Sequence, residues 1–138
     1  MKKKIGLLLL PMAAILLELL PYGAVLVFAS PDERIRKTFS YFSLTPFGYA
    51  NFGPFLTASA SCLLVILLGI YGLTDSEKLL RAAKYLSYIA VAFSILPILY
   101  GLHFYSVTGG LISLILLGQA IILYREIRMQ RCFFVEIW

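Results

Sequence analysis

From position 5 to position 29 the chain runs for twenty-five residues with a single charged side chain, Glu18. A segment so apolar cannot be left in water, and a hydrocarbon layer of about 30 Å calls for roughly 20 apolar residues per helix. Three further apolar blocks follow at 54–72, 85–105 and 109–124. With 61% of the 138 residues hydrophobic, 14% charged and a mean hydropathy of +0.90, a water-soluble domain is excluded. The expected fold is an all-α membrane protein, a four-transmembrane-helix bundle with helices at about 5–29, 54–72, 76–105 and 109–128. It forms one integral domain over 1–138, with a longer aromatic-rich outer loop between the first two helices.

Orientation follows from the basic residues, because Lys and Arg in short loops resist export across an energised membrane. Nine of them (Lys2, Lys3, Lys4, Lys78, Arg81, Lys84, Arg125, Arg128 and Arg131) fall on one side of a four-span threading, against Arg34, Arg36 and Lys37 on the other. Both termini are therefore expected in the cytoplasm, and the localisation is a cytoplasmic membrane of bacterial type. The net charge of +5 is a product of this threading and needs no nucleic acid as partner. Lys2 to Lys4 before an apolar run also resembles a signal peptide, with Val27-Phe28-Ala29 as a cleavage site. The run is too long for that and contains Glu18, which favours an uncleaved first helix.

Cys62 falls in the second span and Cys132 in the inner tail, so no disulfide is expected. The outer loop has no cysteine pair, which removes four-helix quinone-linked thiol oxidoreductases from consideration. Pro11 and Pro21 in the first helix, and Pro97 in the third, each delete a backbone donor and free a carbonyl four residues earlier. In lipid a neighbouring helix or a trapped water must repair that defect. Thr57-Ala58-Ser59-Ala60-Ser61-Cys62, with Gly69 and Gly72, gives the second helix small side chains for close packing. Thr74 and Glu77 read as a capping box that starts the third helix, with Lys78, Arg81 and Lys84 as a basic face near anionic headgroups. Gly109-Gly110 reads as a tight outer hairpin, and 125–138 as an amphipathic cytoplasmic tail with Ile127, Phe134, Ile137 and Trp138 on its apolar side.

Two places carry functional expectations. At about 1.5 Å per residue Glu18 lies near mid-membrane, level with Ser61, Ser94 and Ser113, with Gln119 nearer the cytoplasm. An ionised carboxylate there costs at least a few kcal/mol. A protonatable group at that depth is what proton-coupled transport needs; the alternative is a neutral Glu18 acting as interhelical glue. In the outer loop Phe39, Tyr41, Phe42, Phe47, Tyr49 and Phe52 either lie on the outer leaflet or cap the bundle, or they form a recognition surface for another protein or an aromatic ligand.

Small multidrug-resistance exporters also carry a glutamate in the first of four helices. Their very short loops and intramembrane tryptophan have no counterpart here. Claudin-like proteins share a long first outer loop, but their outer tryptophan and cysteine pair are absent from this chain. Catalysis needs convergent groups, and the single histidine, His103, has no acidic neighbour in sequence; no metal spacing or phosphate loop appears. The expected role is a non-enzymatic accessory or assembly component of a membrane complex, without cofactor. Its partners would be the lipid bilayer and a second copy or another membrane protein. The alternative is an oligomeric proton-coupled small-molecule transporter using Glu18.

Overall fold

The computed structural model describes residues 2–137; Met1 and Trp138, the latter assigned above to the tail, lie outside the described residues. The chain is mostly helical, but the first helix is shorter than expected. Helix α1 covers Lys2–Leu19, and the rest of the apolar run forms strand β1, Ala24–Ala29. Pro21 is the cause, since it cannot donate to Leu17 and disfavours helical backbone at Leu20. The freed Leu17 carbonyl instead accepts from Leu20 N at 3.2 Å, closing the last turn. Beyond Gly23, the β-branched and aromatic sequence Ala-Val-Leu-Val-Phe-Ala favours a pleated strand.

Strand β1 pairs antiparallel with β2, Arg34–Phe39, from Ala24 opposite Phe39 to Ala29 opposite Arg34. The two-stranded ribbon therefore corrects the all-α expectation, and the outer segment is a folded element rather than an aromatic loop. Side-chain alternation divides its faces. One carries Val27 and Ala29 opposite Arg36 and Arg34; the other carries Leu26 and Phe28 opposite Lys37 and Ile35. Strand β1 is buried at its start, whereas Arg34 to Thr38 of β2 are exposed. A short helix α2, Leu44–Gly48, capped by the Ser43 hydroxyl, then leads back to the long helices.

Helices α3 (Gly53–Thr74), α4 (Glu77–Leu99) and α5 (Val107–Glu136) are each long and apolar enough to cross a membrane. Their ends differ from expectation in four places. Thr74 belongs to the last turn of α3, where its hydroxyl donates back to the Ile70 carbonyl, so it caps nothing in α4. Asp75 takes the left-handed conformation at φ 51° and turns the chain directly into α4. Helix α4 stops at Leu99, because Gly101 at φ 123° starts a single 3-10 turn, Leu102–Phe104. Gly109-Gly110 is no hairpin: Ser106 caps α5 by accepting from Gly109 N at 2.9 Å, and both glycines lie in its first turns. Helix α5 continues without interruption to Glu136, so the tail is an extension of α5 rather than a separate segment.

The four long helices pack in a closed cycle, α3 on α4, α4 on α5, α5 on α1 and α1 on α3. The first turns of α1 meet the α3–α4 turn, where Lys4 Nζ lies 2.5 Å from Asp75 Oδ1 and donates to the Gly72 carbonyl. At the opposite end the ribbon contacts the 3-10 turn. The core has two parts. Near the α3–α4 turn it is Leu7, Leu64, Leu68, Leu80 and Leu123; near the ribbon it is Ala14, Ala24, Ala58, Ala60 and Ala90 around Tyr41. Outward-facing leucines and isoleucines such as Leu9, Leu16, Ile66, Ile89 and Leu114 are exposed. This fits a surface bathed in hydrocarbon.

Candidate functional site

Glu18 lies one residue from the end of α1, not in mid-helix, because the helix ends early. It is nonetheless deep, since α3 extends past it: Ser61, in the third turn of α3, donates to Glu18 Oε1 at 2.8 Å. Both residues are fully buried. The Glu18 carbonyl, freed by the helix end, accepts from Tyr41 N at 3.0 Å. Carboxylate Oε2 is enclosed without a partner among the described residues.

Ser94 and Ser113 form a second pair, hydroxyl to hydroxyl, between α4 and α5. Ser113 donates to the Gly109 carbonyl at 2.9 Å, which leaves its lone pairs for Ser94 and for the Tyr105 phenol at 2.6 Å. Tyr41 lies between the two pairs, for its backbone meets Glu18 while its hydroxyl stands against Gly109, whose carbonyl accepts from Ser113. Burial, with Tyr105 and Glu18 nearby, pushes the Tyr41 phenol up from its ordinary value, so it acts as a neutral hydrogen-bonding group. Its ring needs space that two glycines provide. A Cβ on Gly23 would stand 2.7 Å from the Tyr41 ring, and one on Gly109 3.0 Å from its hydroxyl.

The two mid-helix prolines have different surroundings. Pro11 frees the Leu7 carbonyl, and Gln119 Nε2 of α5 donates to it at 3.0 Å. Pro97 frees the Phe93 carbonyl, against which α3 starts with a glycine; a Cβ on Gly53 would lie 2.7 Å from that oxygen.

Of the aromatic residues singled out in the outer segment, Tyr41 is buried, and Phe39 and Phe42 pack partly against the alanine-rich core. Phe47, Tyr49 and Phe52 stay exposed in part and stack edge to face, Phe47 on Phe52 and Tyr49 on Phe28. A different set converges above them. Arg34 and Arg36 of β2, Val27 and Ala29 of β1, and His103 and Phe104 of the 3-10 turn line a cleft of about 440 Å³. Its walls are tied together. Arg36 Nη2 donates to the Tyr105 carbonyl at 3.3 Å, and Ser106 Oγ donates to the Gly23 carbonyl at 2.6 Å. Arg34 and Arg36 are far from His103 in sequence, and only the ribbon brings them to one face; the alternation of Arg34 with Arg36 is the signal the sequence carries.

Two arginine side chains beside an imidazole suit an anionic group, and among the described residues no group of His, Cys, Asp and Glu is arranged to hold a metal ion. Comparison with protein-family models, with curated proteins and with solved structures finds no match for this chain.

Proposed function

We propose that this chain is a non-enzymatic component of a cytoplasmic membrane, in which α1, α3, α4 and α5 all span the bilayer with both chain ends inside. Its outer cap, made of the ribbon and the 3-10 turn, receives an acidic segment of another membrane or extracytoplasmic protein. The observation that carries this reading is the cleft of about 440 Å³ in which Arg34, Arg36 and His103 converge on a held backbone. A preorganised basic cleft loses little freedom when an anionic group binds. The transport alternative rests on Glu18 Oε2, which has no partner among the described residues. It is disfavoured because Glu18 and Ser61 are fully buried, whereas a coupling group must be reached by water or solute.

A photo-crosslinking residue at position 103, placed in native membranes, is expected to yield one discrete protein adduct that Arg34→Glu abolishes. Proton or solute flux in proteoliposomes that is lost in Glu18→Gln, with no such adduct, would replace this reading with transport.

A further inference from the structure

The groove between α4 and α5 changes character along its length, and both walls change together. On α5, Leu117, Ile121, Tyr124, Arg128 and Arg131 succeed one another at spacings of four and three, which places them on one stripe. On α4, Lys84, Tyr88 and Val91 do the same. The helices run antiparallel, so the basic ends of both stripes coincide. Tyr88, Val91, Leu117, Ile121 and Tyr124 line an apolar slot of about 370 Å³. The next cavity, also about 370 Å³, shares Tyr124 and is lined by Lys84, Arg128 and Arg131.

We infer that this groove is a binding site for one anionic glycerophospholipid, with an acyl chain in the slot and the phosphate among Lys84, Arg128 and Arg131. The depth matches, for Leu117 to Arg128 spans about 16 Å along α5, close to one leaflet of a core about 30 Å thick. The charge matches too. The ion pairs present join Lys4 to Asp75 and Arg81 to Glu77, leaving these three cations outside any ion pair among the described residues. Lys84 Nζ rests 4.6 Å from the centre of the Tyr85 ring, held at the headgroup level rather than neutralised. Tyr88 and Tyr124 stand where slot gives way to basic cavity, the position in which an apolar ring and a polar hydroxyl are both satisfied. This inference needs the membrane setting, but not the outer cleft or its partner.

The test uses the full chain reconstituted in phosphatidylcholine vesicles with a minor fraction of spin-labelled phosphatidylglycerol or spin-labelled phosphatidylcholine. The fraction of motionally restricted label is read for each. The wild-type protein is expected to retain phosphatidylglycerol by more than about ten-fold over phosphatidylcholine, and Arg128→Gln to reduce that preference by about five-fold, the size of one basic contact at an anionic lipid surface. The triple variant Lys84→Gln, Arg128→Gln, Arg131→Gln is expected to abolish it. Lys2→Gln, Lys3→Gln, Arg125→Gln removes equal charge from exposed positions that do not line the groove, and is expected to keep the preference. Equal retention of both lipids by the wild type, or equal loss in the two triple variants, would overturn the site. So would displacement of the label by an acidic helix from another protein with no lipid preference of its own. Leu117→Trp, which fills the slot without touching charge, is expected to lower retention of both labels.

Discussion

The two ends of the molecule solve the same packing problem differently. Towards the α3–α4 turn the helices meet through Leu7, Leu64, Leu68, Leu80 and Leu123, and the gap between them is filled by these leucines with Ala83 and the ring of Tyr71. Towards the ribbon the helices present Ala14, Ala58, Ala60 and Ala90, which leave room for the start of β1 and for the Tyr41 ring. Admitting a non-helical segment brings backbone with it, and each polar group it carries must be met where water is scarce. That is where Glu18, Ser61, Ser94 and Ser106 cluster. The lesson is that buried polarity in this chain follows irregular backbone. The leucine end obeys the same rule in miniature, since Gln119 answers the one defect that Pro11 creates there.

The largest expected effect separates the ends. Tyr41→Ala removes the side chain around which the alanines pack, and should cost about 3–5 kcal/mol in mixed-micelle unfolding. Amide exchange should accelerate selectively in β1 and β2. Leu64→Ala, at about 2–5 kcal/mol, should loosen the helices while leaving ribbon exchange no faster than theirs. If both variants gave the same exchange pattern, the division into two cores would have no energetic meaning. A smaller effect tests the single polar repair. Gln119→Leu strands the Leu7 carbonyl and should cost about 1–3 kcal/mol. Adding Pro11→Ala restores a peptide N–H at position 11 and should recover most of the loss, whereas additive losses would sever the link between proline and glutamine. The smallest effect is that of Ser94→Ala. A hydrogen bond between helices in lipid contributes about 0.6 kcal/mol, so a much larger loss would mean that the Ser94, Ser113 and Tyr105 chain acts as a unit.

How much was legible in the sequence divides along the same line. Helices α3, α4 and α5 are readable because a long apolar run with small or charged flanks has one stable answer in hydrocarbon. Counting residues along straight helices is enough to set Ser61 near Glu18 and Ser94 near Ser113, and proline chemistry alone requires a donor for the Leu7 carbonyl. The apolar run over 5–29 was not readable as helix then strand, because a buried strand and a buried helix share the same hydropathy. Pro21, Gly23 and the valines at 25 and 27 held the signal, which a span-counting argument passes over. Among aromatic residues that can all cap the bundle, Tyr41 is not distinguishable from Phe47, Tyr49 or Phe52 for the same reason: only the ribbon turns it inward. The cleft of Arg34, Arg36 and His103 depends wholly on that missing element.

Among the described residues one side of β2 has no neighbouring strand, and its residues from Arg34 to Thr38 are exposed. Such a border ordinarily invites a twin molecule to zip alongside it. Here Arg34, Arg36 and Lys37 would be brought against their own images, so repulsion guards the rim from self-recruitment while leaving it open to a strand of opposite sign. In a ribbon built this way, the sign of an approaching strand weighs on pairing before its shape does.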